Sequence, residues 1–569
     1  MKDKDISIVL CGEAGQGIQT VEFLLTHLLK ISGYHVFATR EFMSRIRGGF
    51  NSTEIRIGSS PVQAYVDRIN LLIPLKKGAI AHVKRRLSSE TRILGEAGNL
   101  DDDFKPANNQ FFDIPFSKLA KEIGGAVYAN IIASGVICSL LKTNPLLLNA
   151  YLSQSFVKKG EDVVSKNLAA FTKGYEIGTQ LSQLDQIGID LQSDPTVKDN
   201  LFLSGIEAIG LGAIAGGCNF IAAYPMSPST DVLVFLSQNS KEFQIIAEQA
   251  EDEISAINMA LGAWYAGARA MVSTSGGGYA LMVEGLSLAG MIESPLVIHL
   301  GQRPGPATGL PTRTEQADLL FTLFSGHGEF PRIILSPGTF QDGIFLTHKA
   351  FNLADKYQVP VFILTDQYFL DSSYNFPNLD LSKVKVENQF IKTTKDYKRY
   401  RFTANGISPR GIPGYGDGLV GLDSDEHDEE GHIIENQDIR VKMVDKRLKK
   451  LEAIKKDIIP PELIGPRAYK TLIICWGSTY YPVKEALDRL ARDDLAALHF
   501  KQVYPLHPDT VNYLKLAKKT IGVENNATSQ FSRLIKLQSS IELDEHLLKY
   551  NGLPFSVEEI ILNLQKVLK

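Results

Sequence analysis

Tyr224-Pro225-Met226-Ser227-Pro228-Ser229-Thr230 stands between an apolar run at 219–223 and a helical-looking run at 231–236. Each proline lacks an N–H donor and fixes φ, so two of them three residues apart suit neither a central strand nor a helix interior. The segment reads as a rigid loop that leaves a strand and enters a helix, with Ser229 or Thr230 placed to cap that helix. A strand–loop–helix junction presents polar groups to a ligand; a capped turn with no further role is the alternative that the local chemistry leaves open.

Outward from this loop the pattern is strand–helix alternation, which argues for an α/β layer fold. The sequence predicts a helix over 205–215, a strand over 244–247, a helix over 252–266 and a strand over 269–273. Then come a glycine turn at Ser275-Gly276-Gly277-Gly278, a helix over 279–291 and a strand over 296–300. Later strands at 332–335 and 359–364 flank a helix over 340–357. Upstream, a strand over 6–11 meets the glycine loop Gly12-Glu13-Ala14-Gly15-Gln16-Gly17 and a helix over 18–31. Further strands at 35–38, 52–57 and 71–75 and helices at 129–141 and 160–181 complete that region. The polar stretch 184–200 reads as a linker. Residues 374–466 lack regular pattern and end in a charged helix over 439–457, whose alternating signs predict a solvated face. The last hundred residues return to strand and helix. The expected organisation is a first α/β domain over 1–185, a linker over 186–200, a second domain over 201–425, a charged connecting segment over 426–467 and a third α/β domain over 468–569.

At 569 residues the chain has length for about three or four domains. Its 44% hydrophobic and 22% charged content is that of a soluble globular protein. A net charge of −4 argues against nucleic acid or an anionic membrane as a main partner. Cys11, Cys138, Cys218 and Cys475 lie too far apart for a CxxC pair, a zinc knuckle or a run of iron–sulfur ligands. A reducing cytoplasm fits that usage. The apolar run 6–11 is too short for a signal-peptide core, and the uncharged run 208–230, broken by Pro225 and Pro228, makes a poor bilayer span.

Four patches are candidates for chemistry. Gly12, Gly15 and Gly17 give a GxxGxG spacing, neither a dinucleotide fingerprint nor a P-loop; the turn admits a phosphate at a helix N-terminus or serves packing alone. Arg40, Arg45 and Arg47 before Gly48-Gly49 suit a polyphosphate such as coenzyme A, or equally a subunit contact. In Glu248-Gln249-Ala250-Glu251-Asp252-Glu253, acids in a first helical turn complement the dipole. Glu253, however, is followed at helical spacing by Ala256, Ala260 and Ala263, a small-residue face that allows burial and contact with a heterocycle. In Arg303-Pro304-Gly305-Pro306-Ala307-Thr308-Gly309-Leu310-Pro311-Thr312, prolines and glycines fix a loop after a strand. Arg303 offers a planar fork for a carboxylate, with Thr308 and Thr312 as further donors; a surface ion pair is the alternative. His427 and His432, beside the acidic run 423–430, have no structural metal spacing, and no metal is assigned to this chain.

Together these patches resemble the 2-oxoacid:ferredoxin oxidoreductases, in the form whose α subunit carries a γ domain fused ahead of it, over nearly the whole chain. Residues 224–230 are similar to the family's YPITPS loop, and 303–312 with Glu315-Gln316-Ala317-Asp318 to its RPGPSTGLPT-x-TEQAD segment. Gly12–Gly17 resembles the γ-domain motif GxGGQG, and residues 425–432 the family's DEHDEEGH segment. The resemblance implies a multi-domain α/β fold: a γ-type domain, a thiamine-diphosphate pyrimidine-binding domain and a C-terminal transketolase-C-like domain. It implies oxidative decarboxylation of a 2-oxo acid, with the acyl group passed to coenzyme A and electrons to ferredoxin. By the same resemblance Glu253 matches the carboxylate at the aminopyrimidine ring, with Tyr224 and Pro225 on the cofactor-binding loop. Arg303 matches the clamp on the substrate carboxylate, and Ser227 and Thr312 match hydroxyls near the substrate. Gly12, Gly15, Gly17 and Arg47 would meet coenzyme A or another subunit.

Two departures bear on this. Met226-Ser227 replaces Ile-Thr, which keeps the hydroxyl and changes the pocket wall, and Ala14 replaces a glycine of the γ motif. The diphosphate signature GDG…N is incomplete: Gly416-Asp417-Gly418 is followed too soon by Asn436 and reads as a turn. The implied partner is therefore a β subunit that supplies Mg2+, the diphosphate site and a [4Fe-4S] cluster, in an (αβ)2 assembly. 2-Oxoglutarate is the favoured substrate, with pyruvate and branched-chain or aryl 2-oxo acids open. A non-redox thiamine enzyme and a non-catalytic scaffold subunit are the readings from other classes.

Overall fold

The computed structural model describes residues 4–13, 18–43, 49–107, 110–184, 187–382 and 384–568. They form two units, one of residues up to Leu203 with Ser372–Leu379, the other of Ser204–Asp371 with Asp380 onward.

The first unit is built on β1 (Asp5–Glu13), β2 (His35–Glu41), β3 (Phe50–Gly58), β4 (Leu71–Pro74), β5 (Arg92–Gly95), β6 (Phe111–Asp113) and β7 (Leu201–Ser204). A further strand, Ser373–Phe376, completes an eight-stranded sheet in the order β6-β5-β4-β1-β3-β2-(373–376)-β7. β1 reads as an unbroken apolar run because it is buried on both faces. Ile6, Ile8 and Leu10 join the helices on one side, while Val9 and Cys11 join a smaller cluster on the other. On the larger face the helices Ala129–Leu140 and Glu161–Gln183 touch backbone to backbone. A Cβ on Gly174 would stand 1.9 Å from the Ile132 carbonyl oxygen, so glycine is what allows the approach.

The stretch expected as a linker is instead packed. Ile187, Ile189 and Leu191 are buried in the same core, and Asp194 N donates to Gly33 O at 2.7 Å. Its apolar residues alternate with polar ones, so one side of an extended segment faces inward.

The second unit carries β8 (Phe220–Ala223), β9 (Ile246–Gln249), β10 (Ala270–Thr274), β11 (Leu296–Gln302), β12 (Ile333–Leu335) and β13 (Pro360–Asp366). The order is β12-β13-β11-β10-β8-β9, parallel throughout, and Gln502–Tyr504 adds antiparallel to β12. That last strand comes from the C-terminal region, which builds its own five-stranded sheet around Thr471–Trp476 and belongs to the same unit.

The charged helix, observed over Gln437–Ile454, departs from expectation. Met443, Lys446, Arg447, Lys450 and Ile454 form its buried stripe. Lys446 Nζ donates to Glu293 Oε1 at 2.6 Å, and Lys450 Nζ pairs with Glu293 Oε2 at 2.5 Å and donates to Gln358 O at 3.1 Å. Burial opposes the Glu293 charge, yet Lys450 and Lys446, with Arg399 beside them, prevail and hold its carboxyl well below the usual range. One carboxylate cannot balance two ammoniums, and burial pushes Lys450 down to about 7. Arg447 pairs with Glu426 at 2.9 Å, which ties the acidic run to the same helix. No helix among the described residues is long and apolar enough to cross a membrane.

Candidate active site

β11, β10 and β8 lie side by side and run parallel, so the loops leaving their C-terminal ends converge on the edge where open α/β sheets bind ligands. β8 delivers the proline loop and β11 the loop that starts at Arg303. After β10 the three glycines, expected as a turn before a helix, are themselves helical in Gly276–Tyr279, with Tyr279 N donating to Ser275 O at 2.8 Å. β9 follows β8 in the sheet and leads into helix Glu253–Tyr265. The Asp252 side chain caps that helix by accepting Ser255 N at 2.8 Å. Glu253 is its first residue and is 3% exposed, with Ala256 and Ala260 fully buried behind it. Its Oε1 is buried without a hydrogen-bond partner. Burial raises its pKa, and Asp252 adds to the shift.

The three glycines form a floor between two carboxyl groups. A Cβ on Gly278 would stand 2.4 Å from Glu253 Oε1 and 2.3 Å from Thr274 Oγ1. One on Gly276 would stand 2.6 Å from both oxygens of Asp318, whereas one on Gly277 would meet nothing nearer than Ala307 O at 3.7 Å. Met226 crosses the floor, its Sδ 3.2 Å from Gly278 N. Asp318 Oδ2, like Glu253 Oε1, is buried without a partner. Burial and then Glu315 push the Asp318 pKa up to about 7, against the pull of Arg303.

Arg303 is half-buried and its Nη1 donates to Ser227 O at 2.7 Å, which joins the β11 loop to the β8 loop. Ser227 and Tyr224 are exposed, and Pro225 is half-buried beside them. Ser229 does not cap the helix Thr230–Gln238 as expected; its hydroxyl turns back to Met226 O at 2.8 Å and tightens the loop. Beneath, Ser273 Oγ lies 2.8 Å from His299 Nδ1, and His299 Nε2 lies 2.9 Å from Thr365 Oγ1. Burial pushes the His299 pKa down to about 3, so the ring is neutral and braces the strands.

Ser227, Glu253 and Arg303 thus meet at one sheet edge. Thr312 is buried farther along the loop, where Arg313 N donates to Leu310 O and Thr314 N to Gly552 O, both at 3.1 Å. Gln316 anchors the loop's return. Its backbone N donates to Asn525 O at 2.7 Å, Oε1 accepts Asn525 N at 3.0 Å, and Nε2 donates to Trp476 O at 2.9 Å. Neither Asp318 nor Gln316 stood out in the sequence as a site residue. The nearest signal was their place in the segment Glu315-Gln316-Ala317-Asp318, which carries the family resemblance just after the proline–glycine loop.

Gly12 lies in β1, opposite Asn51 in the first unit, while Gly15, Gly17, Arg45 and Arg47 fall outside the described residues. Arg40, expected in a basic cluster, is paired with Glu22 at 2.6 Å. Gly416-Asp417-Gly418 is a turn: Asp417 is exposed, its N donates to Thr393 O at 2.9 Å and Gly418 N donates to Thr393 Oγ1 at 3.1 Å. His427 is shut in against Tyr400, with ring centroids 3.9 Å apart, while His432 is exposed.

A family model described as pyruvate flavodoxin/ferredoxin oxidoreductase, thiamine diphosphate-binding, matches residues 211–446, and one described as pyruvate ferredoxin/flavodoxin oxidoreductase matches residues 7–177. A 2-oxoacid:ferredoxin oxidoreductase subunit alpha from a Sulfolobus species is 31% identical over 99% of this chain and 97% of its own. A 2-oxoglutarate oxidoreductase subunit KorA from Mycobacterium tuberculosis is 26% identical over 98% of this chain and 90% of its own. Among solved structures, 2-oxoglutarate:ferredoxin oxidoreductase from Magnetococcus marinus with 2-oxoglutarate, coenzyme A and succinyl-CoA bound superposes with a TM-score of 0.92 at 32% identity, covering all of both chains.

Proposed function

The chain belongs to the 2-oxoacid:ferredoxin oxidoreductases as an α subunit with a fused γ-type domain, and we propose that its substrate is 2-oxoglutarate, converted with coenzyme A to succinyl-CoA and CO2 as ferredoxin is reduced. The Magnetococcus marinus likeness, whose structure holds 2-oxoglutarate and succinyl-CoA, supports that choice.

The residues at the glycine floor fit thiamine diphosphate. Glu253 offers a buried carboxyl oxygen with no other partner, at a position that any side chain on residue 278 would block. Bound there, the cofactor supplies a thiazolium carbon nucleophile for the 2-oxo group. Glu253 holds and exchanges a proton at Oε1 with the aminopyrimidine ring, and a raised pKa suits a group that must be both acid and base near neutrality. Tyr224 and Pro225 wall the ring from the β8 loop. Arg303 spends one donor on Ser227 O and keeps the rest of its fork for the substrate carboxylate. The Ser227 and Thr312 hydroxyls complete the substrate's surroundings. The loop around Gly12, Gly15, Gly17 and Arg47 takes coenzyme A or a neighbouring subunit.

Mg2+, the diphosphate contacts and a [4Fe-4S] cluster are assigned to a β subunit in an (αβ)2 complex. In support, all four cysteines here are buried and far apart, with thiol pKa values pushed up by burial, which suits packing rather than cluster ligation. The same free thiols support a cytoplasmic setting.

The observation that carries this reading is the unpartnered Glu253 oxygen over the glycine floor. The test is to co-express the chain with its β subunit and follow reduction of ferredoxin across a panel of 2-oxo acids with coenzyme A. Glu253→Gln is expected to lower kcat by about 10²–10⁴-fold, and Arg303→Ala to raise KM. Wild-type rates in Glu253→Gln would overturn the assignment, and a larger kcat/KM for pyruvate would replace the substrate.

A further inference from the structure

We infer that Asp318 is a further substrate-binding residue: protonated, its carboxyl hydrogen-bonds the carboxylate of the 2-oxo acid beside Arg303, and ionised, it competes with that carboxylate for the guanidinium. This rests on the reading of Arg303 as the substrate clamp.

Asp318 occupies the N-cap position of the helix Leu319–Phe324, yet its side chain makes no capping hydrogen bond. An aspartate at that position ordinarily accepts from the first turn, so its structural use is forgone here. The carboxyl is directed instead onto Gly276, where a Cβ would collide at 2.6 Å with both oxygens. Oδ2 is buried and unpartnered there. The backbone is held independently, with Asp318 N donating to Gln302 Oε1 at 3.0 Å and Gln530 Nε2 donating to Ala317 O at 2.6 Å. A buried polar atom without a partner is expensive, and such atoms concentrate where a ligand supplies the bond. Glu253 Oε1 is the matching case at the other end of the same three glycines.

The charged groups acting on Asp318 are Glu315 and Arg303, both on the loop that leaves β11 and ends at Asp318; the glycines at 276–278 and Gln530 bring none. Arg303 acts on Asp318 through its charge while its Nη1 donates to Ser227 O. Asp318 titrates at about 7, so the proton that fits it for an anionic substrate is lost within the working pH range. If only the protonated form accepts substrate, KM rises about tenfold between pH 6 and pH 8 while kcat is little changed.

The experiment uses the assembled αβ complex. KM for the 2-oxo acid is measured from pH 6 to pH 8 in wild type, Asp318→Asn and Glu315→Gln, and oxalate binding to the thiamine-free complex is titrated calorimetrically over the same range. Expected are the tenfold rise in wild type, a change under about twofold in Asp318→Asn, and in Glu315→Gln the same rise displaced to lower pH, because the charge that raises the Asp318 pKa is gone. Oxalate affinity should follow the same three patterns. An Asp318→Asn profile that keeps the rise overturns the inference. If Asp318→Asn fails to assemble, an unshifted Glu315→Gln profile does so. Absence of turnover in wild type would sink the functional reading, and the oxalate titrations would still decide the role of Asp318.

Discussion

Replacing Glu293 with Gln keeps the side chain's shape and removes the carboxylate that pairs with two buried lysines, whose side chains are 2% and 1% exposed. Removing one partner of a buried pair typically loses about 3–5 kcal/mol. A second route gives a ceiling. At pH 7.5 a lysine can escape by losing its proton, at about 1.36 × (10.4 − 7.5), or ~4 kcal/mol, relative to the unfolded chain. Burial, which pushes Lys450 down to about 7, lets it shed its proton at little cost once the carboxylate is gone, so the loss falls mainly on Lys446 and should be about 3–4 kcal/mol. The sign of the pH dependence follows. Lysine deprotonation becomes easier as pH rises, so at pH 9 the same variant should lose only about 2 kcal/mol. Trp264 and Trp476 both lie in the second unit and are the chain's two tryptophans, so urea unfolding followed by their fluorescence reports on that unit. Pairing Glu293→Gln with Lys446→Met should restore part of the loss, because the ammonium that cannot cheaply shed its proton goes with the carboxylate, while the buried Arg399 still lacks that negative charge. A Glu293→Gln transition within about 1 kcal/mol of wild type at pH 7.5, or a double variant no more stable than the single one, would refute this account of the helix Gln437–Ile454.

Other perturbations bear on the site and its support. Gly278→Ala places a methyl 2.4 Å from Glu253 Oε1 and 2.3 Å from Thr274 Oγ1, and should weaken thiamine diphosphate binding at least about tenfold by calorimetry, with an overpacking penalty of about 1–3 kcal/mol. Gly262→Ala, open to solvent in the adjoining helix, should leave binding unchanged and serves as the control. The buried His299, at about 3, has a folded pKa below its unfolded value, so its stabilisation is complete above about 6.5 and is lost as pH falls. Between pH 6.5 and pH 5 that amounts to about 2 kcal/mol, which His299→Asn should remove from the pH dependence of unfolding. Gln316→Ala should leave the buried Trp476 O and Asn525 N short of partners, lower stability by about 2–4 kcal/mol and quicken protease cleavage within 303–318.

Local chemistry was the legible part. Prolines and glycines announced the loops at Tyr224 and Arg303, and the alanines behind Glu253 announced its burial, because each signal lies within a few residues of what it determines. Gly416-Asp417-Gly418 was likewise readable as a turn. What stayed hidden depends on distant partners. Lys446 and Lys450 look solvated until Glu293, some 150 residues earlier, is brought beneath them. Asp318 is only one residue of a family-like segment until Gly276 is brought against its carboxyl. The 186–200 stretch looks like a tether because its inward alternation spans only three apolar residues, too few to separate from a polar loop by pattern alone.

The strand Ser373–Phe376 sits in the first sheet between β2 and β7, although more than three hundred residues of sequence separate it from β2. During synthesis β7 therefore emerges with no neighbour, and β2 with one open flank, until the ribosome has added about 170 further residues. At cellular elongation rates that is roughly 10–30 s. For that interval the nascent chain exposes an unfilled slot flanked by backbone donors and acceptors, open to any extended peptide that reaches it first. Chaperone demand on this polypeptide should peak in that window and subside once Phe376 clears the exit tunnel.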